Sequence, residues 1–354
     1  MDRQKSARIS KAIAGLPSVG KITVMIDFFV DRFVRFENLD DLVSAIRRKG
    51  EQGGGSVRGI RQEEAKGGNA VNLAYALGVF GAEVNLLAVA NSLSAEILLA
   101  TFRNLPNVHI QTIQGDPGYT IALEYRLKSR RVNVMISDPG DLGNFDGTKL
   151  SDSNLYQVSH SKIVAIVNWA VNAKGNELCR KVFSLAKKHG ALTFFDPADL
   201  TGQQIRLKEL KQLVFDSGLV DYVSLNENEA REMSKTLFRH NLPHNYTTQD
   251  LKKAAAILSD GFGSVVDLHT SKFSVSARGR DVVSEGCLRV AQKTITGAGD
   301  IWAAANLAGH LAGLKGSDRL IFANTAAGIY VSREDAIAPT LDEVYRTIRD
   351  NYNH

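Results

Sequence analysis

From residue 21 onward the chain alternates two kinds of segment, and this alternation restricts the available folds more than any other feature. KITVMID (Lys21–Asp27) is a short β-branched run. NAVNLAYALGVFG has helical spacing and closes at Gly81; the strand AEVNLLAVA, the helix SAEILLATFRNL and the strand NVHIQTI follow. The rhythm returns with KIVAIVNWA, then the helix GNELCRKVFSLAKKHG closed by Gly190, then ALTFFDPAD. VDYVSLN reads as a strand, ENEAREMSK and TTQDLKKAAAILSDG as helices, and the finish is mainly helical over 300–313, 317–333 and 341–351. Strands that are apolar throughout, rather than alternating, must be covered on both faces. Amphipathic helices between them supply that cover, so the expectation is a mostly parallel α/β sheet with helices on both sides. A chain of 354 residues holds one large domain of this kind or two medium ones, with ample core.

Two regions break the rhythm. Residues from roughly 28 to 65 include the flexible RRKGEQGGGSVRG, and residues 112–140 include GYTIALEYRLKSRRVNVMISDPGD. The second reads as a β-hairpin turning near Lys128–Arg131. These strands lie off the main rhythm and can pair as a small second sheet. Ligands of open α/β sheets sit at the carboxyl ends of the strands, so this sheet is expected to form a lid there. The plainer alternative is a decorative edge hairpin with a disordered loop.

Charge and cysteine content exclude several classes. The formal net charge is +5, but 43 Lys and Arg are interspersed with 38 Asp and Glu. The basic patches Arg47-Arg48-Lys49 and Arg130-Arg131 are short. A nucleic-acid partner is therefore not implied, and a preference for anionic small ligands is the milder inference. Cys179 and Cys287 cannot make a disulfide framework, which points to a reduced, cytoplasmic setting. No apolar run approaches a membrane span, and residues 1–20 read as a short, frayed lead-in helix rather than a targeting sequence. His240 and His244 have helical ligand spacing, but Pro243 lies between them and no acid or cysteine cluster joins them, so no metal site is expected there.

The chemistry concentrates at predicted strand ends. TITGAGDIWAAANLAGHLAG (294–313) sets Gly297, Ala298 and Gly299 before a small-residue helix. A glycine turn feeding a helix N-terminus offers unpaired N–H groups and a positive dipole end to an anion such as phosphate. Asp300 is then either a first-turn cap or a reactive acid. Asp27 and Asp31 follow the first strand, Gly67-Gly68 opens the helix carrying Asn72, and Asn168, Asp196 and Asn226 each end a strand. Asn226 and Glu229 form an N-x-x-E pair at a strand-to-helix turn. Each has a quiet explanation as a turn, a cap or a solvated strand-end acid. Together they fall at one end of one sheet.

On these residues the sequence resembles the ribokinase-like (PfkB) carbohydrate and nucleoside kinases, in order, over roughly residues 20 to 340. The family's first strand leads to an acceptor-binding acid, matched by Asp31 in DFFVDRF. Its Gly-Gly signature is matched by Gly67, Gly68 and Asn72, its N-x-x-E by Asn226 and Glu229, and its Thr-Gly-Ala-Gly-Asp by Thr296 through Asp300. The resemblance implies a single ribokinase-like domain over 21–354 with a small β-sheet lid. It implies a Mg²⁺-dependent kinase moving the terminal phosphoryl group of ATP, or of another nucleotide, to a hydroxymethyl group of a sugar. Asp300 would be the base, and Gly297, Ala298 and Gly299 the phosphate donors. Asn226 and Glu229 would organise Mg²⁺ through water, and Asp31, Gly67, Gly68 and Asn72 would hold the acceptor. It also implies pairing of two copies through the lid, with neither nucleic acid nor membrane as partner. Two alternatives stand beside this: a nucleoside kinase, with Phe28, Phe29 and Phe33 stacking on a base, and a catalytically silent binding or regulatory member.

Three departures qualify the match. The family's acid two residues before the signature threonine is here Thr294, so a monovalent-cation site lacks that ligand. The family's Thr-x-Gly-x-x-Gly turn is replaced by SVVDLHTSKFSV, with Asp267, His269 and Lys272 and neither glycine. Asn69 stands where phosphosugar kinases tend to carry Lys, which favours an uncharged acceptor.

Overall fold

The computed structural model describes residues 3–16, 19–128, 130–294 and 296–352. In chain order, helix α1 (Arg3–Ala14) precedes β1 (Ile22–Ile26), β2 (Phe29–Arg35), α2 (Leu39–Glu51) and β3 (Arg61–Gly67). Next come α3 (Asn69–Val79), β4 (Val84–Ala90), α4 (Ser92–Phe102), β5 (Val108–Gln114), β6 (Gly118–Leu127) and β7 (Arg130–Asp138). The middle comprises α5 (Asp152–Ser159), β8 (Ile163–Ile166), α6 (Gly175–Lys188), β9 (Leu192–Phe195), α7 (Gln204–Leu210), β10 (Tyr222–Asn226), α8 (Glu227–Phe238) and α9 (Thr248–Phe262). The chain finishes with β11 (Val265–His269), β12 (Phe273–Arg278), β13 (Asp281–Gly286), α10 (Ala298–Leu311), α11 (Gly316–Val331) and α12 (Leu341–Tyr352).

The main sheet has nine strands in the order β13-β12-β11-β10-β9-β8-β1-β4-β5. Neighbours from β11 through to β5 are all parallel. Every residue of β1, β4 and β8 is buried, as their largely apolar runs, interrupted only by Thr23 and Asn85, require. Ile22, Val24 and Leu86 belong to the core formed with α3, α10 and α11, whereas Met25, Leu87 and Ile166 belong to the one formed with α6, α8 and α9. The mostly parallel α/β sheet read from the sequence is thus the fold.

Several elements differ from the sequence reading. The β12–β13 hairpin breaks the parallel pattern, β12 pairing antiparallel with both β11 and β13, and turns at Gly279, φ +57°; the alternation in FSVSARGRDVVSEG was its signal. Residues 28–65 are not simply loop, since α2 lies between two lid strands, capped by Asn38 accepting from the Asp40 N–H at 2.8 Å. The segment α1 is docked rather than frayed. Its Ile9 and Ile13, with the following Leu16, are fully buried, each such burial stabilising by roughly 1.5–3 kcal/mol. Arg8 also pairs with Asp318 through two contacts, at 2.5 and 3.0 Å.

The second sheet runs β3-β2-β6-β7. Here β2 and β6 are parallel, flanked by antiparallel β3 and β7. The hairpin at Lys128 is present, while residues 112–114, expected in the lid, finish β5 of the main sheet. Gly118, Thr120 and Ala122 are buried and alternate with exposed Tyr119 and Ile121. Ion pairs cross this sheet, with Arg35 bonded to Glu124 at 2.7 Å and also to Glu63. Among the described residues no helix is long and apolar enough to cross a membrane.

Candidate active site

Asp27, at the carboxyl end of β1, holds the site's frame together. Its carboxylate accepts from the backbone N–H groups of Asn69 (2.7 Å) and Ala70 (2.8 Å), satisfying the first turn of α3. Asn168, in the left-handed conformation at φ +54°, donates to the same carboxylate at 2.9 Å. Asp27 is fully buried, not the solvated acid its strand-end position suggested, and burial lifts its carboxyl to about 6 against those hydrogen bonds. Gly68 sits at φ +94°, where a β-carbon would press on the Asp27 carbonyl oxygen at 2.9 Å. At Gly67 a β-carbon would collide with the Asp31 carboxylate. The glycine pair is needed because two acids pass across it.

A cleft of about 1340 Å³ opens between the smaller sheet and a wall formed by α3, the turn before α10 and the end of α11. Asp31, Lys66 and Asn72 line it together with Phe33, Tyr75 and Tyr125. Asp31 lies on β2 and hydrogen-bonds the Thr120 hydroxyl; burial raises its carboxyl, while Thr120 and the charge of Lys66 oppose the shift. Lys66 was missed by sequence reasoning. Its ammonium donates to Asn72 Oδ1 at 2.8 Å and lies 4.6 Å from the centre of the Tyr75 ring. Asn72 Nδ2 in turn donates to Asp300 Oδ2 at 3.0 Å.

Asp300 occupies the wall between this cleft and a second one of about 680 Å³, which Asp300 itself lines with Gly299, Asp196, Asn226 and Glu229. The turn before α10 spans both: Gly297 faces the larger cleft and Gly299 the smaller. Gly297 is at φ +85°, with the Tyr330 hydroxyl 2.7 Å from where a β-carbon would stand. That hydroxyl donates to the Thr296 carbonyl at 2.8 Å and steadies the turn. Asp300 is pushed up to about 8, chiefly by desolvation and also by the negative charges of Asp196 and Asp27; Asn72 and Lys66 counteract part of the rise. Strongly perturbed acids in clefts mark candidate functional sites, and Asp300 is one.

A model of the pfkB family of carbohydrate kinases matches residues 39–343. The chain belongs to that family. It is accordingly a phosphotransferase with an alcohol group as acceptor. Asp31 lies outside the matched span, whereas the Gly-Gly, N-x-x-E and Gly-Ala-Gly-Asp motifs lie within it. Among solved structures the chain resembles an adenosine kinase from Sinorhizobium meliloti (22% identity, 93% of this chain and 98% of that one, TM-score 0.68). It also resembles the ribokinase from Thermotoga maritima (18% identity, 93% and 98%, TM-score 0.67). A third is the Arabidopsis thaliana ribokinase complexed with ribose and ATP (18% identity, 93% and 99%, TM-score 0.68). These likenesses establish a ribokinase-like fold. No curated protein sequence matches the chain.

The PfkB N-x-x-E pair forms a reciprocal capping box on α8. Asn226 Oδ1 accepts from the Asn228 and Glu229 N–H groups at 2.8 and 3.0 Å, and Glu229 accepts from the Asn226 backbone N–H at 2.8 Å and its Nδ2 at 2.5 Å. Glu229 is nonetheless held well above the ordinary carboxylate range, by burial first and then by Asp196, Asp199 and Glu227. Asp196 is itself lifted to about 7 by burial, with Asp27 adding to the rise. Crowded, desolvated carboxylates of this kind are relieved by a hard cation. Among the described residues, no group of three or more His, Cys, Asp or Glu is placed to cage a metal. Mg²⁺ asks for less, since it keeps waters and takes one or two carboxylates plus substrate phosphates. The donor set fits that mode.

The glycine-free segment divides its three named residues. Asp267 is buried and unavailable to a ligand: Arg319 bonds it twice, at 2.8 and 3.1 Å, and Asn306 and His310 add bonds at 2.8 and 3.0 Å, so its carboxyl falls far below the usual range despite burial. Lys272 is exposed. His269 lines the smaller cleft, stacked 4.8 Å from Trp302, with its Nε2 3.3 Å from where a Gly299 β-carbon would lie. Burial pushes it down to about 4, so the ring is neutral at physiological pH. Asn69 lines the smaller cleft rather than the larger. Thr294 spends its hydroxyl on the Arg333 carbonyl at 2.7 Å. Of the aromatics considered for stacking, Phe28 and Phe29 are core residues and Phe33 reaches the cleft.

Proposed function

We propose that this PfkB kinase binds a sugar in the larger cleft and a nucleotide, ATP first among the candidates, in the smaller, and that Asp300 couples them. The observation that carries this reading is the position of Asp300 at the wall between two clefts, with Gly297 on one side and Gly299 on the other. Asp31, Lys66 and Asn72 supply donors and acceptors for the hydroxyls of a sugar. Asp300 takes the proton of the acceptor's hydroxymethyl group, the freed oxygen attacks the terminal phosphorus, and the bond from phosphorus to the nucleoside diphosphate oxygen breaks. Backbone N–H groups of Gly297, Ala298 and Gly299, at the positive end of α10, hold the phosphate oxygens as charge redistributes. Asn226, Glu229 and Asp196 are the residues that would hold hydrated Mg²⁺. When bound, that ion supplies charge neutralisation to the phosphates.

A specific observation favours a nucleoside as the alternative acceptor. The larger cleft is lined by Phe33, Phe36, Tyr75, Tyr125 and Tyr330, and Phe36 stacks on Tyr125 with centroids 5.3 Å apart. Such rings suit a flat apolar base. The silent reading loses its main support, since the absent glycines leave Gly299, Asp300 and Glu229 lining an open cleft. Free Cys179 and Cys287 support a cytoplasmic setting. Exposed Tyr119, Ile121, Val134 and Ile136 support pairing of two copies through the lid. A panel of sugars and nucleosides assayed with ATP, ADP and GTP tests the reading. Turnover of a free sugar supports it, turnover restricted to nucleosides moves the assignment to the alternative, and no phosphoryl transfer to any of them overturns both.

A further inference from the structure

Most cations of the larger cleft are already paired. Arg35 bonds Glu124 at 2.7 Å, Arg61 lies 3.8 Å from Glu63, Arg126 lies 3.7 Å from Glu37 and Lys293 lies 3.5 Å from Glu334. Lys66 is different. Its ammonium hydrogen-bonds neutral Asn72, and among the described residues it feels Asp31 and Asp300 through space rather than in a direct ion pair. Burying an ammonium on those terms is costly unless a ligand completes its shell. An ammonium has three protons to give, and Asn72 takes one. The Tyr75 ring lies 4.6 Å away, and the acid of β2 and the acid of α10 attract the remaining charge through space.

We propose that Lys66 is a second catalytic residue of this site: its ammonium donates to the oxygen of the acceptor's reacting hydroxyl while Asp300 takes that hydroxyl's proton. The inference rests on the phosphoryl-transfer reading above. A hydroxyl oxygen has two lone pairs and one proton, so it accepts from Lys66 and donates to Asp300 at once. As the proton leaves, negative charge grows on that oxygen, and a fixed cation beside it stabilises the transition state more than the ground state. The Lys66–Asn72–Asp300 chain of hydrogen bonds keeps cation and base in register.

This arrangement has a pH signature. Burial lowers Lys66 to about 8 against the charges of Asp300 and Asp31, while Asp300 is raised to about 8. The other titratable groups nearby are Asp27, Asp196 and Tyr330, which interact with Asp300 electrostatically, and neutral His269 at the adjoining Gly299. Activity needs Asp300 ionised and Lys66 charged, so the profile of kcat/KM for the acceptor should be bell-shaped, with a rising limb from the acid and a falling limb from the amine.

The test uses Lys66→Met and Lys66→Arg, compared with wild type in kinetics from neutral to alkaline pH and in calorimetric binding of a Mg²⁺-nucleotide. Lys66→Met should lose on the order of 10²–10³-fold in kcat/KM for the acceptor, with nucleotide affinity unchanged. Its falling limb should vanish and its rising limb move to higher pH, because Asp300 loses a neighbouring positive charge. Lys66→Arg should recover part of the rate and also lack the falling limb, since guanidinium does not titrate there. A Lys66→Met enzyme within about 3-fold of wild type, with the same bell, overturns the proposal and leaves the kinase reading intact. If Lys66→Met fails to fold, Lys66→Arg decides: an unchanged falling limb overturns the proposal. A folded wild type that binds no nucleotide and phosphorylates nothing in the panel overturns the kinase reading together with this one.

Discussion

The larger cleft is walled by polar and aromatic side chains, the smaller by a cluster of carboxylates, with Arg231 and Lys235 among them, around a backbone turn. In the first, Asp31, Lys66 and Asn72 form a polar set bordered by aromatic rings, under a lid whose strands supply two of those three residues. In the second, Glu229 and Asn226 are committed to capping α8, Asp196 accepts from the Ala198 N–H at 3.1 Å, and the glycine turn contributes peptide groups. Side chains read shape and hydroxyl pattern, whereas peptide N–H groups and hydrated cations read charge. On the proposed assignment of the two clefts, selectivity of this kinase should reside mainly under the lid, and the other cleft should take a polyphosphate common to many donors.

The sharpest way to break that comparison is at the shared wall. Asp300→Asn should drop kcat on the order of 10²–10⁴-fold, with both ligands binding nearly as in wild type by calorimetry; turnover largely intact would return Asp300 to a capping role. The same variant reports on stability. Because Asp300 ionises at about 8 in the fold and near 3.8 when exposed, the unfolded chain sheds this proton first, and the acid destabilises the fold increasingly as pH rises between those values. Asp300→Asn should therefore melt higher than wild type at pH 8, and the difference should shrink as pH falls toward 3.8.

Asp31→Ala probes the larger cleft alone. It should weaken acceptor binding by about 1.5–3 kcal/mol, the range for a hydrogen bond to a charged group, and leave nucleotide binding untouched. Unchanged acceptor affinity would make Asp31 a partner of Gly67 and Thr120 only. On the other side, Glu229→Gln should raise the Mg²⁺ concentration needed for half-maximal rate while sparing acceptor affinity. A capping role alone would instead cost about 1 kcal/mol in stability at constant Mg²⁺ dependence. Lid exchange should show the smallest effect. Amide exchange in segments 28–65 and 118–137 should slow on acceptor binding but not with nucleotide alone; equal exchange in all states would separate the lid from the cleft it covers.

The main sheet was legible because its strands are apolar on both faces, a pattern that has one stable resolution. The Gly-Gly pair and the Gly-Ala-Gly-Asp turn were legible because glycine in those numbers marks close approach or positive φ; Gly68 and Gly297 show both, and Gly67 shows close approach. Lys66 was not legible. A lone lysine before a glycine pair looks solvated until β2 and α10 close around it, and those elements lie far from it in sequence. The anchoring of Asp27 was hidden for the same reason, because its partner Asn168 is 141 residues away. Helix α2 escaped notice because none of its residues is buried, which left its apolar positions indistinguishable from the glycine-rich stretch beside them.

The join between sheet and lid has a mechanical consequence. The path from β1 to β2 passes through Asp27 and Phe28 alone, and the return from β3 enters α3 through Gly67 and Gly68. Two further connections, from β5 into β6 and out of β7, also tie this sheet to the rest; at the first pair Asp27 grips α3 and Asp31 rests on Gly67. On the proposed assignment of Asp31 to the acceptor, one of these connections and the acceptor reader are a single piece of chain. A molecule seated against Asp31 would then press on the same crossing that carries the smaller sheet, so that on this reading fit would be coupled to closure.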